Sequence, residues 1–276
     1  MGRRNITIKA NQLRDLYLRK EFTAAQIANV LQCTDVTVLN KLHYYGIKVN
    51  RPGRRNFKYK KFPFDGNLLE KSYMMGFRMG DLNVYRPKNK LSRIFVVRCH
   101  TTSKDQLGVF QKIFFRYGHS TVSVSPDNSY HVNCYLDHSF IFLLDKSKIP
   151  QWIGEAPNLG WSFMAGYCDA EGSFGIDQGR GRFKIDSYDY FILRWIKKFL
   201  DKNQIKSKFR CIYKQGSLRK DGTLWNNNLW RLNINTALSL ETFVRSILPF
   251  SLHKKRVKDA NKVLRNIKVR RENGTI

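Results

Sequence analysis

Apolar positions recur with helical spacing in two segments that nearly repeat each other. The first is Tyr73-Met74-Met75-Gly76-Phe77-Arg78-Met79-Gly80-Asp81, and the second is Phe163-Met164-Ala165-Gly166-Tyr167-Cys168-Asp169-Ala170-Glu171-Gly172-Ser173-Phe174. Small residues four apart share one helical face, here Gly76 with Gly80 and Gly166 with Ala170. Such faces let two backbones approach closely. The pattern therefore predicts a helix pair packed through these four residues, with Asp81 and Glu171 delivered side by side. The likeness continues downstream. Val97–Thr101 matches Phe183–Ser187, and His131–Cys134 matches Arg231–Ile234, each alternating as half-buried strands do. Between them, Val109, Phe110, Ile113, Phe114 and Tyr117 mark one amphipathic helix from Lys104, and Ile192, Trp195, Ile196, Phe199 and Leu200 mark its counterpart. Each unit reads αββαββα. The expected architecture is α+β, two tandem pseudo-symmetric repeats at 68–150 and 161–268, joined by a linker at 151–160 and followed by a tail at 269–276.

The N-terminal segment carries a different pattern. Leu13, Leu16 and Tyr17 mark a first helix, Thr23 is a good N-cap for a second over residues 24–31, and a third runs from Asp35 to Tyr45 before Gly46. Ile27, Ala28, Leu31, Val38 and Leu42 form its expected core. This predicts a small all-α module at 1–50 resembling a helix-turn-helix, whose last helix would offer Asp35, Thr37, Asn40, Lys41 and His43 to a major groove. A plain three-helix cap is the alternative. The basic linker at 51–67 contains Arg54 and Arg55, placed to follow phosphates or a minor groove.

Charge narrows the class of partner. The chain holds 50 Lys plus Arg against 21 Asp plus Glu, a net +29. Residues 1–61 alone hold 14 Lys or Arg against three acids. Such an excess is the footprint of a nucleic-acid binder, while 42% hydrophobic residues are enough for packed cores. No run is long and apolar enough to span a membrane, and no signal peptide is visible. The five cysteines lack metal or disulfide spacing and read as thiols in a reducing compartment. The expected location is intracellular, a prokaryotic cytoplasm or an organelle, not secreted. Against this basic background the two acids stand out. Each meets the negative end of its helix dipole, and together they repel, objections that a bound divalent cation removes. A local rule broken twice at the same internal position points to function.

Met164 to Gly172 resembles the signature of the LAGLIDADG homing endonucleases, and Met74 to Leu82 resembles a degenerate first copy in which Met79 replaces the first Asp and Leu82 the Gly. The resemblance spans roughly Leu68 to Ile267. It implies a site-specific double-strand DNA endonuclease that acts as a monomer on a long asymmetric target, cutting across the minor groove. Asp81 and Glu171 would be the metal-holding catalytic acids, with Mg²⁺ as cofactor, Mn²⁺ as substitute and Ca²⁺ supporting binding without cleavage. Asp169 occupies the family's structural acidic position. Lys254, after Pro249-Phe250, matches the family's catalytic lysine, with Lys255 in reserve, and Lys146 or Lys148 is the repeat 1 counterpart. Thr101 and Ser187 hold the position of a water-ordering residue, or simply cap the following helix.

Base reading would come from the hairpins, in the major groove. In repeat 1 the candidates are Asn83, Tyr85, Arg93 and Arg98. In repeat 2 they are Asp177, Arg180, Arg182, Lys184, Lys208, Arg210 and Arg231, with Lys214 and Arg219 on a loop at 214–228 that is long for a hairpin. Some of these would hold phosphates, which position without specifying. A non-cleaving DNA-binding regulator or an RNA-splicing maturase on the same fold is the competing reading. A basic nucleoid protein fails to explain the internal repeat.

Overall fold

The computed structural model describes residues 8–20, 22–49, 59–87 and 94–276. The chain divides into two compact units, Met1–Lys60 and Lys61–Ile276, so the division falls inside the basic stretch read as a linker.

The first unit is all-helical. Helix α1 (Ala10–Arg14) runs on as a wider π-type turn, Asp15–Arg19, before α2 (Ala24–Leu31) and α3 (Asp35–Tyr44). Thr23 and Gln26 form a reciprocal capping box, satisfying backbone donors that the start of α2 leaves open. Thr34 caps α3 in the same sense. Gln32 and Gly46 adopt left-handed conformations just past the ends of α2 and α3. Ile27, Ala28, Val38 and Leu42 are buried, together with Ile8, Leu13, Leu16, Tyr17 and Ile47, whereas Leu31 is only half-buried.

The second unit is α+β with two four-stranded antiparallel sheets. Its first repeat comprises α4 (Leu68–Asp81), β1 (Leu82–Tyr85), β2 (Phe95–Thr101), α5 (Lys104–Phe114), β3 (His119–Val124) and β4 (Tyr130–Leu136). Its second comprises α6 (Pro157–Glu171), β5 (Ser173–Asp177), β6 (Arg180–Ser187), α7 (Tyr190–Lys202), β7 (Lys208–Tyr213), β8 (Leu229–Ile234), α8 (Ala237–Ile247) and α9 (Lys254–Glu272). The strand orders are β1-β2-β4-β3 in sheet A and β5-β6-β8-β7 in sheet B, the same topology twice. No helix among the described residues is long and apolar enough to cross a membrane.

The repeats differ at their ends. Repeat 1 closes with a 3₁₀ turn, His138–Leu143, where the repeat pattern predicts a third helix. Phe140 and Leu143 are its buried residues, three apart as the tighter winding requires. Repeat 2 closes with two full helices, and α9 runs four residues past the expected boundary at 268. Helix α6 also starts earlier, at Pro157, whose fixed φ suits the first helical position.

Helices α4 and α6 form the spine. Every residue from Gly160 to Ala170 is buried, so α6 is enclosed on all sides. The crossing depends on the small residues. A Cβ on Gly76 would collide with the Phe163 carbonyl oxygen, one on Gly166 with the Tyr73 carbonyl oxygen, and one on Gly80 with the Ala170 methyl group. Ser72 and Ser162 seal the far end, donating to the carbonyls of Leu159 and Leu69 at 2.7 Å each. Both helices then end where their sheets begin, so the acids sit at the junction of spine and sheets.

Candidate functional site

Asp81 is the last residue of α4 and Glu171 the last of α6. The near-contact of Gly80 with Ala170 and the Glu171 side chain brings these two ends together. Burial raises the pKa of both. Glu171 is pushed to about 7 by burial first and by the Asp81 charge second, against the pull of Arg256 and Lys146. Asp81 is raised by burial, opposed by Arg256, by a hydrogen bond from Gln106 and by Lys146. Two desolvated carboxylates whose charges oppose each other form a hard oxygen donor set, which Mg²⁺ or Ca²⁺ fits when phosphate and water supply the remaining ligands. Among the described residues no group of three or more His, Cys, Asp and Glu side chains forms a fuller cage.

A cleft of about 340 Å³ opens beside Glu171, lined also by Gln106, Ser173, His253, Lys255, Arg256 and Asp259. Lys254 is not among its lining residues. It is the first residue of α9 and is exposed. Each helical residue turns the side chain by about 100°, and the next two positions, Lys255 and Arg256, face the cleft. Lys255 pairs with Asp259 at 2.8 Å. Arg256 donates to the carbonyls of Cys168 at 2.8 Å and Ala170 at 2.5 Å, closing the end of α6 with a positive charge.

One carboxylate oxygen of Asp169 is taken up by three donors. The residue is buried, and Oδ2 accepts from the Tyr73 hydroxyl at 2.7 Å, the Leu252 amide at 2.6 Å and the His253 amide at 3.0 Å. These bonds pin the start of α9 against α6 and so set Lys255 and Arg256 beside Glu171. Met79 cannot do this in repeat 1. There the adjacent, buried Arg78 bonds the carbonyls of Leu143 and Leu82 instead. Lys146, which lies just beyond, reaches Asp189 at 3.7 Å and is one of the two cations that act on both acids.

Thr101 is buried and donates to Gln106 Oε1 at 2.6 Å, while Gln106 donates to Asp81. The capping role belongs to Ser103, which accepts from the Gln106 amide. Ser187 accepts from the Asp189 amide at 3.1 Å. Sequence reasoning missed Gln106 and passed over Arg256.

The hairpin residues lie on the faces of the two sheets that do not pack on helices. Strand β2 buries Phe95, Val96, Val97, Cys99 and Thr101 and exposes Arg98 and His100, so it alternates only from Val97 onward, and β6 buries Gly181, Phe183 and Ile185 and leaves Arg182, Lys184 and Asp186 outward. Asn83 is cross-strand from Arg98, which donates to Tyr85 at 3.2 Å and Asn133 at 2.9 Å. Arg180 lies at the β5–β6 turn opposite Asp177. Lys208 and Arg210 are exposed on β7, and Arg231 on β8 is forked onto Asp186 at 2.6 Å through both nitrogens. Residues 214–228 contain a small hairpin of their own. Leu218 bridges Leu224, Gly222 takes a left-handed turn, and Arg219 lies over Trp225, which stacks on Tyr213. Lys214 is exposed beside it. In the first unit Asn40 is exposed, and Lys41 reaches over the Tyr44 ring. Arg54, Arg55 and Arg93 lie outside the described residues.

No family model matches the chain. An uncharacterized protein of Methanocaldococcus jannaschii is 25% identical over 195 residues, 68% of this chain and 69% of that protein. Among solved structures, variants of the homing endonuclease I-DmoI share 17% identity over 67% of this chain and 98% of theirs, with a TM-score of 0.46. I-DmoI in complex with DNA and Mn gives 17%, 66%, 97% and 0.45 in the same order. Full-length DUF199/WhiA from Thermatoga maritima gives 17%, 75%, 62% and 0.48.

Proposed function

We propose that this chain is a site-specific, Mg²⁺-dependent endonuclease of the LAGLIDADG homing type that cuts both strands of duplex DNA and works as a monomer. The observation that carries the reading is the convergence of Asp81 and Glu171 at the ends of two helices whose glycines put their backbones in contact. A chain that only bound DNA would gain nothing from two desolvated carboxylates next to phosphates. In the proposed mechanism Asp81 and Glu171 would hold Mg²⁺. The bound ion would polarise the scissile phosphate and make a hydroxide nucleophile available near neutral pH. Gln106 fixes the rotamer of Asp81 and, by donating to it, favours its charged form. Arg256 and Lys255 place positive charge where the leaving oxygen gains its negative charge, the role that the motif resemblance assigns to Lys254. Asp169 positions both through the α9 start. The outward sheet faces and the helix-turn-helix-like unit read and hold the target.

The test is incubation with DNA from the protein's own locus and Mg²⁺. Double-strand breaks at one site are expected for the wild type. Asp81→Asn and Glu171→Gln should lose cleavage with binding kept or tightened. A double variant that still cuts removes the site assignment. The separate N-terminal unit favours a second reading, a DNA-binding regulator, and site-specific binding without any Mg²⁺-dependent breakage would select it.

A further inference from the structure

The two sheets repeat one topology but present different chemistry. The strands of sheet A contain a single Lys or Arg, Arg98, and no acid. Those of sheet B contain six Lys or Arg against two Asp. The hydrogen bonding differs as well. On sheet A, Arg98 is spent on Tyr85 and Asn133, Asn133 reaches Thr121 at 3.4 Å, and the rings of His100 and His131 stack at 4.1 Å. The single cation of that face is held by its neighbours, and the strands carry little charge. On sheet B, register puts Lys184, Asn233 and Lys208 in one row across three strands. Asn233 is the repeat counterpart of Asn133, yet its side-chain oxygen has no hydrogen-bond partner among the described residues. Arg231 is neutralised by Asp186, and Arg182 has only a loose 3.8 Å contact with the exposed Asp177. Among the described residues no ion pair holds Lys184, Lys208 or Arg210.

We propose that the two sheets engage duplex DNA by different chemistry. Sheet B grips phosphates and guanine edges through Arg182, Lys184, Lys208 and Arg210, and sheet A discriminates bases through a prearranged face of low charge, on which Arg98 is held by the Tyr85 phenol and the Asn133 amide. The inference rests on the DNA-binding reading above but not on cleavage. Two physical consequences follow. Cations that neutralise phosphates release counterions, so sheet B carries most of the salt dependence contributed by the two sheets. Arg and Lys favour guanine O6 and N7, so guanines concentrate in the half-site under repeat 2, and that arm binds first at low salt. Sheet A, already ordered, adds selectivity at little entropic cost.

The experiment uses full-length protein in EDTA, where no cutting occurs, and a fluorescent mixed-sequence duplex of about two helical turns per repeat. One variant carries Arg182→Gln, Lys184→Gln, Lys208→Gln and Arg210→Gln, and the other carries Asn83→Ala and Arg98→Gln. All these side chains lie on solvent-facing strand faces, and melting curves confirm folding. The slope of log affinity against log salt should fall by about 0.9 for each of the four cations that holds a phosphate, about 2 to 3 in the first variant once those on guanine edges are left out, and by about 1 or less in the second. Selection from a randomised duplex pool should return guanines in one arm for the wild type. The four-residue variant should lose that enrichment, and the two-residue variant should keep it while blurring the other arm. Equal slope changes, or guanine enrichment that survives the four substitutions, overturn the proposal and leave the nuclease reading standing. Tight, asymmetric binding by a wild type that never cuts does the reverse. Absence of any duplex binding removes both.

Discussion

Glu171 carries the most informative electrostatics in the molecule. Its pKa rises from the usual carboxylate range to about 7 in the folded, metal-free protein, whereas the unfolded chain titrates near 4.3. Between those values the folded state keeps a proton that the unfolded state has released, so stability falls as pH rises through that window. The Tm of the protein in EDTA should therefore decline from about pH 4.5 to above 7. Glu171→Gln should flatten the decline, and added Mg²⁺ should reverse it. A Tm equally pH-dependent in wild type and variant would show that the group is not desolvated. Gln106 makes a second case. Its donation lowers the Asp81 pKa, so Gln106→Ala should move the acidic limb of the pH–rate profile to higher pH without changing the DNA footprint. An unmoved limb would reduce Gln106 to helix packing. The acids were legible in the sequence because each is tied to a local motif. Gln106 and Arg256 were not, because they act across elements: one reaches Asp81 from α5, the other reaches α6 carbonyls from α9, 88 residues along the chain. The same distance hid the work of Asp169, whose partners lie on α4 and at the start of α9.

Among the elements, the α4–α6 contact is the one that places the site, and its glycines admit a direct test. The atoms that a new Cβ would strike at Gly76 and Gly166 are main-chain carbonyl oxygens, which cannot rotate away. Gly76→Ala or Gly166→Ala should cost at least about 2 kcal/mol, a Tm loss of about 4–8 °C for a unit of this size. Gly108 is the control. It is exposed in α5 with nothing within 4 Å of its would-be Cβ. Gly108→Ala should gain about 0.5–1 kcal/mol from helix propensity and a smaller unfolded-state entropy. If both kinds of substitution behave alike in calorimetric melts, close approach is not what holds the helices together. Periodicity found these helices and the paired hairpins because each buries one face, or in α6 every face. It missed the end of repeat 1 for a physical reason: a short run whose buried residues, Phe140 and Leu143, lie three apart packs equally well in 3₁₀ form. It also read 214–228 as loop, because the Leu218–Leu224 bridge is held by a cross-strand aromatic stack and not by alternation of buried residues.

The whole molecule is two compact units, and the proposed chemistry lies in one of them. Both acids, Gln106, Lys146, Arg256 and both sheets belong to residues 61–276, which enclose a core of their own from Tyr73 to Ile267. Residues 1–60 have a separate small core. Deleting them should leave a folded protein with a cooperative melt, because no residue of the larger core is removed. The loss should appear in binding. The deleted segment holds 13 of the 50 Lys and Arg residues, so the salt slope and the length of the DNA footprint should both shrink, most where the target flanks the cleavage point. Mg²⁺-dependent cutting or nicking should survive at high protein concentration, since raised concentration compensates for lost affinity but not for lost catalytic groups. The truncated protein should also sediment as a monomer, because the two repeats already pair α4 with α6 inside one chain. A truncated protein that folds, by circular dichroism and melting, yet stays silent at every concentration would place residues 1–60 within the active site. One that cuts with an unchanged footprint would strip the N-terminal helices of any role in holding DNA.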